Sequence, residues 1–274
     1  MYCGDDVSSV VFDIGSFNVR SGYSGEDVPR CVVPSLVGVC PDNSKEDVDM
    51  ENQINSRKRN NGIIVGQTEI GLRRDNMEIQ SIFDQDGVLK FDYLDEIFQK
   101  SLVDNLMVNI LETAVLFSEN AIHNKEMRMK LTEQMFEKYK IPALFIVKDP
   151  VLSAFSCGRS TALILDSGHN QTIATPVNDG YALLKCIIKH DIGGRFLTQD
   201  LNRVLAEKSL SVKPRFTFKK KFINVEGAEM VQLVDLSDTD PVKKTHQSYF
   251  TWTQSEILRE MKEDFLTVSD EVLQ

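Results

Sequence analysis

The sequence has 274 residues, of which 42% are hydrophobic, and its formal net charge is −10. This length predicts one large domain or two smaller ones with a substantial core. The negative charge disfavours broad binding to a nucleic-acid backbone, and we expect no direct sequence-specific nucleic-acid binding. No apolar run approaches the roughly 18 residues that suggest a membrane span, so we expect no membrane association.

The N-terminus and the cysteines both favour a reducing compartment. The stretch from Met1 to Asp6 has neither a basic start nor an uninterrupted apolar segment, which argues against a signal peptide. The five cysteines are an odd set without CxxC spacing. That pattern argues against a disulfide framework or a zinc knuckle.

The first predicted element is a hairpin, "VVFDIGSFNVRSGYSG", which begins at Val10. Its strand over Val10–Phe12 runs into a polar turn and is followed by an alternating strand. The segment from Cys40 to Asn61 almost lacks large apolar residues, so we predict a disordered loop at about 41–61. Within it, Arg57-Lys58-Arg59 is either a nuclear import signal or, as is commoner for so short a run, a solvated charge cluster.

Two apolar stripes with helical spacing follow the loop, and a third helix is predicted near the end. Both stripes are interpreted as core contacts. The stripes consist of Leu94, Phe98, Leu102 and Leu106, and of Met127, Leu131, Met135 and Tyr139. The third helix is predicted to start at Thr253, where Thr253 and Glu256 have the spacing of a capping box. Before it, a polar insertion at about 213–247 with Lys219-Lys220-Lys221 is predicted to lie at the surface.

The remaining strand candidates indicate α/β layers, because strands and helices are mixed along the chain. These candidates are Ala114–Phe117, Ala143–Val147, Ala162–Leu165 and Thr172–Val177.

The most informative feature is a repeat of the first hairpin. "ALILDSGHNQTIATPVNDGYAL" again has an apolar strand that ends in an aspartate, a turn with glycine and an alternating strand. The two aspartates are Asp13 and Asp166. Two such hairpins that face each other could hold a polyphosphate from both sides, with backbone N–H groups and the Ser16 hydroxyl as donors. The two carboxylates could hold a hydrated Mg²⁺ against the phosphates.

Several blocks of sequence resemble the actin family, within the wider group of Hsp70-type ATPases and sugar kinases. "DIGSFNVRSGYSGEDVPRCVVPSLVG" is similar to the family's first phosphate loop, and "PALFIVKDPVLSAFSCGRSTALILDSG" resembles its connecting helix and second phosphate loop. "DGYAL" and "DIGGRFLTQDL" continue the match. "KLTEQMFEKYKIPALFIVKDPVLSAF" and "FLTVSDE" resemble the nuclear actin-related subunits of SWI/SNF-type remodellers and related acetyltransferase complexes.

The resemblance implies an α/β, actin-like fold of two lobes with mixed sheets. The first lobe would comprise residues 1–156, with 36–76 as its outer subdomain. The second lobe, 157–274, would be partial, with 193–274 as its outer subdomain. We expect the rest of the second lobe to be missing, including the family's Gly-rich segment under the adenine, because the sequence ends about ten residues after Lys262.

The resemblance also implies a nucleotide site for ATP or ADP with Mg²⁺. Asp13 and Asp166 match the metal-site aspartates, which act through water. Arg20 stands where the family has a phosphate-binding lysine, and a forked guanidinium is broader than an ammonium. The positions implied to contact nucleotide are Gly15, Ser16, Phe17, Arg20, Gly168, His169, Asn170, Gly194, Lys262 and Glu263. For His169 the alternative is a solvated loop histidine.

Two positions depart from the family's water-orienting pattern. Asp149 stands where the family has a glutamine, and Ile173 stands where it has a histidine, although an isoleucine cannot hydrogen-bond water. Asp149 is open to two interpretations: a helix N-cap before Pro150, or the base that takes a proton from a hydroxyl, as in sugar kinases. No sugar-binding block is recognisable, which favours the cap.

We therefore predict a non-enzymatic assembly subunit in the nucleus, with a vestigial or weak ATP site and a role in transcription regulation. The resemblance implies actin, a helical segment of a remodeller ATPase and other chromatin-complex subunits as partners. The first alternative is a phosphotransferase or ATPase that uses Asp149 as its base. The second is a cytoskeletal filament protein.

Overall fold

The computed structural model describes residues 9–41, 62–84, 87–122, 125–225 and 228–270. Nearly all of the predicted loop, including Arg57 to Arg59, lies outside them. The chain divides into two compact units. Of the described residues, the first unit takes those within 1–37, 63–70 and 81–194, and the second those within 38–62, 71–80 and 195–274. The lobe boundaries proposed from the resemblance stay a prediction.

Strands and helices are mixed along the whole chain, as the sequence predicts. The strands are β1 (Ser9–Ile14), β2 (Asn18–Tyr23), β3 (Cys31–Pro34), β4 (Leu36–Val39), β5 (Ile63–Ile64), β6 (Glu78–Ser81), β7 (Ala114–Glu119), β8 (Leu144–Lys148), β9 (Ala162–Ser167), β10 (Thr172–Asn178), β11 (Tyr181–Ala182), β12 (Ile188–His190), β13 (Phe218–Val225) and β14 (Ala228–Asp235). The α-helices are α1 (Gln67–Gly71), α2 (Phe91–Phe98), α3 (Lys125–Glu133), α4 (Asp149–Ser156), α5 (Gly194–Glu207), α6 (Asp240–Lys243) and α7 (Gln247–Phe265).

The first sheet has the strand order β3-β2-β1-β7-β8. β1 pairs antiparallel with β2, as expected of a hairpin, and parallel with β7, which in turn pairs parallel with β8. The carboxyl ends of β1 and β8 therefore lie at the same edge of the sheet. In an open α/β sheet this is the edge at which ligands bind.

The two predicted stripes lie on helices whose side chains join the hydrophobic core next to this sheet. α2 continues into a π-helical stretch, Gln99–Asn105, and α3 continues into another, Gln134–Lys138. Phe98 of α2 makes an edge contact with Phe12 of β1 at 5.0 Å between ring centroids, and both rings contact Phe117 of β7. The first stripe is buried throughout. In the second stripe Leu131, Met135 and Tyr139 are buried, whereas Met127 is only half-buried. The core prediction is therefore confirmed for the first stripe and for these three residues of the second.

The second hairpin builds a smaller sheet in which β10 pairs with β9, β11 and β12. α4 packs on one face of this sheet through Val151 and Ala154, which form a buried cluster with Val177 of β10. Ile164 of β9 packs against the same cluster. This face is therefore covered by the helix that connects the two sheets.

The opposite face of β9 is exposed, unlike the matching face of β1. When the repeats are aligned on Asp13 and Asp166, Val10 and Phe12 correspond to Leu163 and Leu165. Val10 and Phe12 are both 0% exposed, whereas Leu163 is 72% and Leu165 is 71% exposed. Among the described strands, β9 pairs only with β10, whereas β1 also has β7 along its second edge. The two repeats share a local fold but differ in what covers them.

Two predicted helix starts are wrong. α4 begins at Asp149 and its N-cap is Lys148, so Asp149 is a first-turn residue that makes no capping hydrogen bond. α7 begins at Gln247, where His246 is the N-cap and its ring accepts from the Ser248 N–H. Thr253 lies inside α7, and its hydroxyl donates to the carbonyls of Tyr249 and Phe250. The capping-box spacing of Thr253 and Glu256 therefore lies inside a helix and does not mark its start.

The second unit contains α5, the β13–β14 hairpin, α6 and α7. Tyr249 of α7 is buried there, and its hydroxyl donates to the Gly71 carbonyl at 2.8 Å. The predicted surface insertion at 213–247 is therefore a folded segment with a two-stranded ribbon, although most of its described residues are exposed. Across the described residues, no helix is long and apolar enough to cross a membrane.

Candidate functional site

The first turn, Gly15 to Phe17, connects β1 to β2 and is held by its own backbone. The Gly15 N–H donates to the Asn18 carbonyl at 3.1 Å, and the Ser35 hydroxyl donates to the Gly15 carbonyl at 2.5 Å. A Cβ at Gly15 would lie 2.8 Å from the Asn18 oxygen, so this close approach requires glycine. The Gly15 N–H is used inside the turn, so phosphate donors would have to come from other groups. Ser16 is half-buried in this turn.

The second turn, Gly168 to Asn170, has the same internal bond. The Gly168 N–H donates to the Gln171 carbonyl at 2.9 Å, and the Gly168 carbonyl accepts from the Gly194 N–H at 3.0 Å. Gly193 passes so close that a Cβ there would lie 2.6 Å from the His169 carbonyl oxygen. Sequence reasoning named Gly194 and missed Gly193. The adjacent glycines in "DIGG" were the available signal.

The two turns meet through a pair of aromatic side chains. The rings of Phe17 and His169 are 4.8 Å apart between centroids and inclined at 38°. Both residues are half-buried, so His169 is packed and not fully solvated. A ring pair at this separation is in van der Waals contact and leaves no space for a phosphate group between the rings. A polyphosphate held between the two hairpins could therefore not pass between these two side chains as they are placed here.

Arg20, the predicted phosphate-binding cation, is paired with a predicted metal-site carboxylate. Its guanidinium lies 3.2 Å from the Asp13 carboxylate, across the β1–β2 register in which these two residues are partners. Both side chains are about half exposed, so the pair contributes little to stability. An incoming phosphate would have to compete with Asp13 for the Arg20 guanidinium.

Asp149 completes a group of three carboxylates with Asp13 and Asp166. Asp13 and Asp166 are each the last residue but one of their strands, β1 and β9, and Asp149 directly follows β8, so three strand ends bring these residues together. Burial raises the pKa of Asp149, the charges of Asp166 and then Asp13 add to the rise, and together these causes bring it to about 7. Lys148 and the Ala121 N–H oppose the rise. A carboxyl with this pKa exchanges its proton near neutral pH.

Ile173 is buried in β10, opposite Asp166 in the β9–β10 register. It is a core residue whose side chain makes no hydrogen bond. A water molecule for in-line attack would therefore have no partner at this position. The correspondence of Ile173 to the family's water-orienting histidine stays a prediction.

The described carboxylates offer only part of a metal site. Within the described residues, no group of three or more His, Cys, Asp or Glu side chains is arranged to hold a metal ion. Asp13 and Asp166 suit a hydrated Mg²⁺, because that ion keeps several waters and takes one or two carboxylates. After burial, the charges of Asp166 and Asp13 contribute to the raised pKa of Asp149, so a cation beside these carboxylates would be favourable.

Lys262 and Glu263, the residues implied to contact the adenosine, belong to α7 in the second unit. Lys262 Nζ donates to the Thr198 hydroxyl of α5 at 3.2 Å, and Glu263 pairs with Arg259 at 2.7 Å. These contacts give both side chains roles within their own unit. Their part in nucleotide binding stays a prediction, as does that of Asn170.

Comparison with known proteins identifies the class. The actin family model matches residues 4–274, so the chain belongs to the actin family. The predicted actin-like α/β fold is thereby confirmed. Members of this family generally bind a nucleotide together with a divalent metal.

The chain is similar to proteins named actin-related protein 4 from plants and fungi. It is 36% identical over 286 residues to the one from Oryza sativa subsp. japonica, and 35% identical over 282 residues to that of Arabidopsis thaliana. The relative from Yarrowia lipolytica is 32% identical over 271 residues. Each match covers 98% of this chain but only 63%, 62% and 60% of the respective relative. The chain thus spans less than two thirds of the length of these relatives.

Proposed function

We propose that the chain is a non-catalytic assembly subunit of a nuclear chromatin-remodelling or histone-modifying complex, with a weak ATP site. The observation that carries the non-catalytic part is the contact between Phe17 and His169. The two rings are in contact and leave no space for a phosphate between them, Arg20 is ion-paired with Asp13, and the Ile173 side chain offers no hydrogen bond to an attacking water. The similarity to actin-related protein 4 and the sequence blocks that resemble nuclear actin-related subunits support the assembly role.

In this proposal the nucleotide turns have a structural task. The backbone bonds of Gly15 and Gly168 hold each turn in shape, and the Phe17–His169 ring pair joins the turn after β1 to the turn after β9. The partners proposed are actin, a helical segment of a remodeller ATPase and other subunits of such a complex. Nuclear localisation follows from membership of that complex.

Sedimentation of purified components tests the assembly role. The chain, monomeric actin and the helical segment should sediment as one complex of defined stoichiometry, without added nucleotide. Assembly that required Mg-ATP, or no assembly under any nucleotide condition, would contradict the proposal. Sedimentation of the chain alone also tests the filament alternative, which requires length-distributed polymers.

One observation favours the phosphotransferase alternative. A carboxyl with a pKa of about 7 is suited to act as a general base at neutral pH, and Asp149 lies beside the two carboxylates that could hold Mg²⁺. Transfer of labelled γ-phosphate from ATP to a panel of hexoses tests it. Transfer by the wild type that is lost in Asp149→Asn, with the fold intact, would establish this function in place of the assembly role alone.

A further inference from the structure

The β13–β14 hairpin forms a sheet of only two strands. Eight residues of each strand pair in register, from Phe218 opposite Asp235 to Val225 opposite Ala228. Among the described strands, neither pairs with any other. An isolated two-stranded ribbon is marginally stable in water, and its free edges offer unpaired N–H and C=O groups to a further strand. The hairpin therefore has the capacity to accept a third strand.

One face of the ribbon is apolar and exposed. Phe222 and Val231 are opposite each other, and Leu233 follows Val231 by two residues, so all three lie on one face. Each of these side chains is more than half exposed. Lys220 lies on the same face, opposite Leu233. A strand added at the edge of the ribbon would therefore have to place apolar side chains beside this face.

The other face of β13 is cationic. Lys219 and Lys221 are two residues apart, opposite Val234 and Gln232. Over the part of the chain that the structure describes, no carboxylate forms an ion pair with Lys219, Lys220 or Lys221. This local positive charge stands out in a chain with a net charge of −10.

We propose that the hairpin binds an extended polypeptide segment in which acidic and apolar residues alternate, added as a third strand along the free edge of β13. Alternation follows from the pleat, which sends successive side chains to opposite faces. Acidic residues would lie beside Lys219 and Lys221, and apolar residues beside Phe222 on the other face. We place the third strand along β13 because that strand carries all three lysines. A nucleic acid would match the lysines but would leave the apolar face uncovered.

The test uses the full 274-residue chain and a labelled, end-capped peptide, Glu-Val-Glu-Val-Glu-Val-Glu, measured by fluorescence anisotropy. Its comparison is the block isomer Glu-Glu-Glu-Glu-Val-Val-Val, which has the same composition and charge. We expect the alternating peptide to bind about tenfold more tightly than its isomer, because only alternation serves both faces at once. Amide exchange should slow in β13 when the peptide binds.

Two variants separate charge from apolar contact. The double variant Lys219→Glu/Lys221→Glu should weaken binding by at least about tenfold, and Phe222→Ser should weaken it without changing net charge. The control, Lys130→Glu/Lys140→Glu, makes the same charge change at exposed sites away from the hairpin and should bind as the wild type does. Equal binding of both peptides, equal loss in the control, or tighter binding of duplex DNA than of the alternating peptide would overturn the proposal.

Discussion

At the residue scale, Asp149 gives the chain a specific pH dependence. The raised pKa means that the folded chain holds this proton more tightly than the unfolded chain does. The group therefore lowers the free energy of unfolding as pH rises from its ordinary value near 4 to about 7, and the loss persists above 7. Asp149→Asn removes the titrating carboxyl and with it this loss of stability. The free energy of unfolding should therefore rise by about 2 kcal/mol at pH 8, a figure that is discounted for partial exposure, and stay unchanged at pH 4.

Urea denaturation at the two pH values measures this effect. Asp264→Asn, at an exposed carboxylate of α7, is the control and should change little at either pH. If Asp149 were instead an N-cap, Asp149→Asn would change stability at pH 8 little, because asparagine caps a helix about as well as aspartate does. A gain in stability at pH 8 thus separates the two accounts.

Phe17 is the second residue whose replacement is informative. Phe17→Gly removes one of the two rings that fill the space between the turns, so Mg-ATP should bind more tightly to the variant than to the wild type, by about tenfold. Isothermal calorimetry gives both affinities. Phe145→Gly, at an exposed phenylalanine of β8, is a control for loss of a ring elsewhere. Wild-type affinity equal to that of Phe17→Gly would show that the ring pair does not limit access.

At the element scale, the two hairpins allow a matched comparison. Phe12→Ala should cost about 3–5 kcal/mol, because a fully buried ring is lost from the contact with Phe98 and Phe117. Leu165→Ala, at the corresponding position of β9, should change stability by no more than about 0.5 kcal/mol, because its side chain is exposed. Urea unfolding of both variants checks this. A large cost at Leu165 would mean that the outer face of β9 is covered in the folded chain.

The elements that sequence reasoning predicted well are those whose signal is local. The stripe from Leu94 to Leu106 and the repeat around Asp13 and Asp166 are periodic patterns, and they formed as predicted. The start of α7 was missed because the capping-box spacing of Thr253 and Glu256 lies inside the helix and not at its start. The β13–β14 ribbon was missed because charged residues obscure its alternation. The Phe17–His169 contact could not be predicted, since it depends on how distant turns approach each other.

At the scale of the whole molecule, the two units should differ in local stability. α2 buries Leu94, Ile97 and Phe98, whereas the described buried residue of α5 is Thr198 alone. Backbone amides exchange through local opening, which is easier where less apolar surface is buried. Native-state hydrogen exchange should therefore be faster in α5 than in α2. Equal strong protection of both helices would contradict the expected difference.

The central claim is that the chain keeps the turns of a nucleotide site and does not hydrolyse ATP. The most direct test is phosphate release by the purified chain with saturating Mg-ATP, for the wild type and Asp149→Asn, against a blank without protein. We predict that both proteins give the blank rate, because turnover also needs an ordered water in line with the leaving group. A wild-type rate clearly above the blank that disappears in Asp149→Asn, with unchanged folding, would contradict the account.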